Sequence, residues 1–430
     1  MDSRPIDDPV LADLCAYIEA SPSPFHAVAA AVDRLVAAGF LPVDERLPWP
    51  DGPGRHLVVR DGSLIAFSTE GHRVGSGFRI IGAHTDSPNL RLRPRPDRRR
   101  AGMAQLAVEI YGGVLLNSWL DRDLGLSGRV VIRRDGLPSV ELLAIDEPLL
   151  RVPQLAIHLD RSINAEGLRL DPQNHLTPVW GLDPDLGLAE HLADRLDCGP
   201  GDILAWELMT HDLTPPTVLG ADRSMLASAR LDNLLSCHAA VTALLRVVDR
   251  ADPEGPVPMI CLFDHEEVGS TSASGAAGPF LETVLERISL GAGLGREEHL
   301  AALARSLCLS ADGAHATHPN FPERHEPNHH ITLDGGPVLK HNENRRYASD
   351  APGIALVVEA ARASGVPLQQ FSSRGDLPCG STIGPITAGR LGVRTVDLGV
   401  AQLSMHSARE LCGTQDPARF ATLLARLLVE

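Results

Sequence analysis

The sequence predicts an α/β fold: a mostly parallel sheet flanked by helices, interrupted by an inserted β-rich domain. Three observations lead there. Strand and helix patterns alternate through the N-terminal and C-terminal thirds, as they do where helices cover a parallel sheet. From about Pro94 to Gly220 the chain is instead a succession of strand patterns bounded by Gly, Asp and Pro. And 430 residues exceed one ordinary domain. The expected division is 1–93 with 221–430 as one discontinuous domain and 94–220 as the insert.

Taken in order, LADLCAYIEA and FHAVAAAVDRLVAAGF carry helical apolar spacing up to Gly39. RHLVVRDGSLIAFST and FRIIGAH read as short strands with Gly-rich turns. The run RLRPRPDRRR, Arg91 to Arg100, predicts a solvated loop; it contains no aromatic residue on which a base could stack. QLAVEIYGG, LSGRVVIRRDG and SVELLAID are strands of the insert. After Met225, LDNLLSCHAAVTALLRVV predicts a helix with Asp232 near its start. VPMICLF, FLETVLERISL, SLCLS, GIALVVEAARASG, PLQQFSS, RTVDLGV and PARFATLLARLLVE then alternate strand and helix.

Composition narrows the function. Hydrophobic content of 43% supports sizeable cores, and a formal charge of -16 argues against nucleic acid and anionic membrane as partners. No apolar run is long enough to span a bilayer, and MDSRPIDDPVLADL lacks the basic start and apolar centre of a signal peptide. Seven scattered cysteines without a CxxC pair suit a reduced, cytoplasmic protein. Lys340 is the only lysine among 39 basic residues, which singles out a place where a compact ammonium is required.

The chemistry gathers where apolar runs end. VPMICLF runs into Asp264, His265, Glu266 and Glu267; FRIIGA into His84 and then Asp86; SLCLSA into Asp312; RTVDLGVAQLSM, less directly, into His406. A parallel sheet brings the carboxyl ends of its strands to one rim, where ligands bind. Carboxylates and imidazoles without thiols suit zinc, manganese or cobalt. Asp232 either caps its helix or bridges two metals. In the second case His84 and Asp312 complete one metal, and Glu267 and His406 the other. Asp86 is placed to accept the free N–H of the His84 ring. Glu266 is then left to move a proton from water to a leaving amine.

GAHTDSPNLRLRP, ARLDNLLSC, FDHEEVGS, SADGAHATHPNFPERHEPNHH, GGPVLKHNENRRYAS and SMHSARE, with SPSPFHAVA, resemble the bacterial-type aspartyl aminopeptidases, a family of dinuclear zinc metallopeptidases. The resemblance covers nearly the whole chain. It implies metal roles for His84, Asp232, Glu267, Asp312 and His406, with two zinc ions per subunit and Glu266 as general base. It also implies that the insert mediates dimerisation and that dimers build a tetrahedral dodecamer. LAIHLDR places His158 in substrate contact across the dimer, with metal ligation as the alternative. His315 is expected to hold substrate, and Lys340 with Tyr347 to receive an acidic side chain at the peptide N-terminus. Six histidines lie between His315 and His341, and the expectation there is a polar loop rather than a third metal site. Two other functions compete: a related dinuclear carboxypeptidase or deacylase, and an assembly scaffold with a purely structural metal.

Overall fold

The computed structural model describes residues 8–430; the stretch Met1–Asp7, read above for a leader signal, lies outside the described residues. The chain divides into two compact units. The first holds the segment ending at Asp86 together with Pro216–Met405 and Glu410–Glu430, and the second holds Ser87–Pro215 with His406–Arg409.

The chain opens with α1 (Pro9–Glu19) and α2 (Pro24–Ala37). Each begins on a side-chain oxygen cap followed by proline: Asp8 accepts the Val10 and Leu11 N–H groups, and Ser23 accepts that of His26. Strands β1 (Leu41–Pro42), β2 (Arg55–Arg60), β3 (Ser63–Ser68) and β4 (Phe78–His84) follow.

The second unit begins with β5 (Asn89–Arg100) and β6 (Met103–Tyr111), continues through the hairpin β7 (Leu124–Arg134) and β8 (Leu137–Leu150), and adds α3 (Ile163–Glu166), β9 (Val179–Gly181), α4 (Leu188–Leu196) and β10 (Ile203–Asp212). Its strands form one antiparallel sheet in the order β8-β7-β10-β5-β6-β9. Asp135 and Gly136 make the two-residue hairpin turn with φ of 53° and 82°, the geometry that matches strand twist and favours an Asp-Gly pair. The basic run Arg91–Arg100 is not a loop but most of β5. Leu90 and Leu92 face the core, and the register with β6 breaks between Leu92 and Asp97, where two prolines cannot donate to the ladder.

The chain re-enters the first unit through β11 (Thr217–Leu219), β12 (Met225–Ser228) and α5 (Leu231–Val247). Then come β13 (Val257–Phe263), α6 (Phe280–Gly291), α7 (Arg296–Arg305), β14 (Leu307–Ala311), β15 (Ala314–His315), β16 (Val338–His341), α8 (Ala351–Ser364), β17 (Gln369–Ser372), α9 (Ile383–Leu391), β18 (Arg394–Gly399), β19 (Ala401–Leu403), β20 (Glu410–Gly413) and α10 (Asp416–Leu427). The nine-stranded sheet runs β1-β2-β3-β13-β4-β14-β18-β16-β17, and β13, β4, β14 and β18 are parallel neighbours. A second sheet of five strands runs β11-β12-β20-β19-β15.

All seven residues of β13 are buried because both faces of the sheet are covered. Ile260 and Leu262 pack with α1, α2, α5, α8 and α10, whereas Met259, Cys261 and Phe263 pack with α6, α7 and α9. Among the described residues no helix is long and apolar enough to cross a membrane.

Asp416, fully buried, accepts the N–H groups of Asp334 at 2.8 Å and Gly336 at 2.9 Å and so fixes the approach to β16. Burial pushes its carboxyl up to about 6, outweighing those two donors. A folded-state value above the unfolded one means stability present below about pH 4 and lost as pH rises through 6. In Asp416→Asn the stability deficit relative to the parent should therefore shrink by about 2–3 kcal/mol between pH 4 and pH 7 in paired denaturant titrations. A pH-independent deficit would contradict this.

Candidate metal centre

Adjacent parallel strands deliver the expected cluster. Phe263 lies opposite His84 and Gly82 opposite Ser310, so β4, β13 and β14 end together and release His84, the 264–267 turn and Asp312 at one rim. Asp232 arrives from the first turn of α5. Asp232 (φ -84°, ψ 101°) and Asn233 (φ -127°, ψ 26°) are not helical, so Asp232 sits at a break near the start of that helix. Its own N–H donates to Glu410 Oε2 at 2.9 Å, and the neighbouring Asn233 side chain donates to the Ala311 carbonyl at 2.8 Å.

His84 stands at the centre, 1% exposed. Its Nε2 is 3.3 Å from Asp232 Oδ1 and 3.8 Å from Asp312 Oδ1. Nδ1 is 3.0 Å from the Asp86 backbone carbonyl, which assigns the Nδ1–H tautomer and leaves Nε2 as the ligand nitrogen. Within the first unit, His84, Asp232 and Asp312 can offer donor atoms within 4.8 Å of one another, and so can His84, Glu266 and Glu267.

Asp86 works differently from the sequence expectation. The ring N–H meets its backbone oxygen, while the carboxylate is 3.5 Å away. That carboxylate instead accepts the N–H of Glu266 on Oδ1 and of Glu267 on Oδ2, both at 3.1 Å. One buried side chain thereby holds the two glutamates' backbone in a short 3-10 turn, Glu266–Val268. His265 enters this turn with φ 67° and sends its ring to Ser272, 3.0 Å from Nδ1, so it faces away from the cluster's chemistry.

Electrostatics define what the site needs. Burial, opposed by the pull of His84 and reinforced by Asp312, Asp232 and Asp86, brings the Glu266 carboxyl up to about 7. Burial alone would push the His84 ring down, but Asp232, Asp312 and Asp86 outweigh it and raise it well above the usual imidazole range. Five carboxylates around one imidazole cannot all ionise out of water without added positive charge. Divalent cations supply it, and the oxygen and nitrogen donors fit zinc, manganese or cobalt. The nearest thiol is not a ligand. Cys237 Sγ donates to the His84 carbonyl at 2.9 Å, and burial pushes it up to about 12.

The candidate substrate residues meet at a second place in the same unit. Lys340 is buried, and among the described residues its ammonium makes no direct hydrogen bond or ion pair; it lies 5.2 Å from the centre of the Tyr347 ring. Phe371, the partner of Lys340 across β16 and β17, packs edge-on against both Tyr347 at 6.2 Å and His315 at 6.4 Å. Burial pushes the Tyr347 phenol up, and the Cys379 thiol and the charge of Asp312 push in the same direction.

Among the described residues the metal-capable groups do not include His318, His325, His329 or His330, and His318 donates its N–H to the His325 ring. His158 belongs to the second unit, exposed on a segment whose Leu155, Ile157 and Leu159 are exposed as well. His406 is assigned to the second unit, with Nδ1 2.9 Å from the Gly113 carbonyl. Glu410 was missed as a positioning residue. Its place in SMHSARE, an acid beside the last expected ligand, was the available signal.

The comparisons with known proteins agree. The family model described as "Aminopeptidase I zinc metalloprotease (M18)" matches residues 17–427. The "Probable M18 family aminopeptidase 2" of Streptomyces coelicolor is 51% identical over 420 residues, 97% of this chain and 96% of that protein. The cryo-EM structure of the Ape4 and Nbr1 complex superposes with a TM-score of 0.93 at 37% identity, covering 97% of this chain and 85% of that one. The S. cerevisiae mApe1 dodecamer gives a TM-score of 0.85 at 29% identity, covering 97% and 96%.

Proposed function

Because the chain belongs to the M18 family of zinc metalloaminopeptidases, we propose that it releases N-terminal Asp or Glu from peptides at a site for two zinc ions. The observation that carries this reading is the pairing, in one unit, of a buried carboxylate–imidazole cluster with a buried lysine that has no direct hydrogen-bonding partner among the described residues. His84 and Asp312 would hold one zinc and Glu267 and His406 the other, with Asp232 the carboxylate that could serve both. When bound, zinc polarises the scissile carbonyl and eases ionisation of the attacking water.

The chain's own groups do the rest. Glu266 takes a proton from the attacking water on a side-chain oxygen and passes it to the nitrogen of the leaving amine. Burial pushes this carboxyl up, towards the range in which a group can both take and return a proton. Asp86 keeps Glu266 and Glu267 in place through their N–H groups. The negative charge of the cluster's carboxylates also draws in the substrate's α-ammonium. His315 contacts the substrate, and Tyr347 walls the side-chain pocket.

Lys340 meets the substrate carboxylate. At about 4 Å and an effective dielectric of ~20 that attraction reaches ~4 kcal/mol before desolvation is subtracted. The chain's overall charge of -16 is screened beyond about 8–10 Å at physiological salt and does not prevent it. In Lys340→Met, kcat/KM for peptides starting with Asp or Glu should fall about 10²-fold, while peptides starting with Leu are little changed. Equal loss on all three would remove Lys340 as the specificity group.

The same reading makes the chain a cytoplasmic homo-oligomer. The inserted domain, Ser87–Pro215 in the structure, is the dimerisation domain, and dimers build a dodecamer like the one formed by mApe1. Leu137, Val140, Leu142, Leu155, Ile157 and Leu159 are exposed apolar residues in that segment, the composition of a protein interface. His158, set among three of them, reaches a neighbouring subunit's substrate.

A further inference from the structure

Lys340 has a buried acidic neighbour that no step above uses. β16 pairs with β18 in antiparallel register, Val338 opposite Gly399 and Leu339 opposite Leu398. Continuing that register places Lys340 opposite Asp397, and opposed residues in an antiparallel pair share a face of the sheet. Asp397 is fully buried, and the two charges act on one another without making a direct ion pair.

The Asp397 carboxylate also ties together both walls around Lys340. Oδ2 accepts the Ala348 N–H at 2.6 Å, one residue beyond Tyr347. Oδ1 accepts the Thr382 hydroxyl, and Thr382 in turn caps α9 by accepting the Gly384 N–H at 3.1 Å. The Asp397 N–H donates to Ser349 Oγ at 3.0 Å. A Cβ at Gly384 would lie 2.5 Å from each carboxylate oxygen, so the helix can approach this side chain only as glycine. Burial pushes the carboxyl up; the hydroxyl donors, the Lys340 charge and the Ala348 N–H oppose that.

We propose that Asp397 is the positioning residue of the acidic-side-chain pocket, balancing the buried charge of Lys340 across the strand pair and holding Tyr347 and the start of α9 beside it. The inference rests on Lys340 being the group that reads the substrate carboxylate. Asp397 touches neither substrate nor metal; it acts through Lys340 and Tyr347. An asparagine there presents one acceptor and one donor to two donors, so one wall must move.

The test is a selectivity cycle on the assembled, metal-loaded enzyme, using matched peptides that begin with Glu or Leu. Asp397→Asn should lower the Glu-over-Leu ratio of kcat/KM about 10-fold, through KM for the Glu peptide, with kcat on the Leu peptide retained. In a Lys340→Met background the same change should move the ratio less than about 3-fold, because the two substitutions remove one shared interaction. Thr382→Val should lower the ratio in the same direction, and Thr382→Ser, which keeps the hydroxyl, should restore it. These two also serve if Asp397→Asn does not fold. Equal losses on both peptides, or full additivity with Lys340→Met, would overturn the proposal and leave Asp397 a structural residue. An unchanged ratio in Lys340→Met itself would instead overturn the reading on which the proposal rests.

Discussion

Glu266→Gln is expected to lower kcat by about 10²–10⁴-fold, the usual contribution of a positioned proton-transfer group, with KM and bound zinc nearly unchanged. The substitution keeps the size of the side chain and its peptide N–H, so the bond to Asp86 Oδ1 survives. What disappears is the oxygen that can take a proton. Glutamine cannot accept one from the attacking water or return one to the amine. Elemental analysis alongside steady-state kinetics separates this from ligand loss. A variant that retains zinc and also retains turnover would strike Glu266 from the mechanism. Asp86→Ala tests the support beneath it. Removing both acceptors for the 266–267 N–H groups should reduce kcat as well, but rescue by Asp86→Glu is not expected in a site with no exposure at that position.

Stripping the metal should abolish turnover, and zinc, with manganese or cobalt as substitutes, should restore it. The second effect is on stability. Asp86, Asp232 and Asp312 are each less than a tenth exposed and stand with Glu266 and Glu267 around one imidazole. Ligand held at about 1,000 times its dissociation constant stabilises by ~4 kcal/mol, so chelation should lower Tm on the order of 5–10 °C. Asp232→Asn should reduce zinc per subunit from two, because the proposed bridge contributes to both positions. Turnover that persists in protein verified to be metal-free, or an unchanged Tm, would exclude the metal from catalysis or from the cluster respectively.

Much of this was legible in the chain. His84, Glu267 and Asp312 each follow an apolar strand, and neighbouring parallel strands must end on one rim. Other features were not. RLRPRPDRRR reads as a loop because two prolines and six arginines disfavour a strand, yet its pairing with β6 and the burial of Leu90 and Leu92 outweigh that local preference. RTVDLGV was expected to run on towards His406 within the main sheet. Instead β18 ends at Gly399 and β19 joins the five-stranded sheet. Asp86 sits two residues from His84, which suggests a ring partner; its carboxylate turned out to hold a turn nearly two hundred residues away in the chain.

By itself the sequence determined the fold class and the family, and it nominated the side chains for the chemistry. Those follow from periodicity, from residue type and from motifs that are local in the chain. Only the tertiary structure decided which atom serves which partner. It assigned the His84 tautomer, the two N–H bonds that fix Glu266 and Glu267, and the burial of Lys340 opposite Asp397. The physical reason is range. A strand pattern is set by neighbours two residues apart, whereas a hydrogen bond or a buried charge depends on groups brought together by sheet register and helix packing across hundreds of residues.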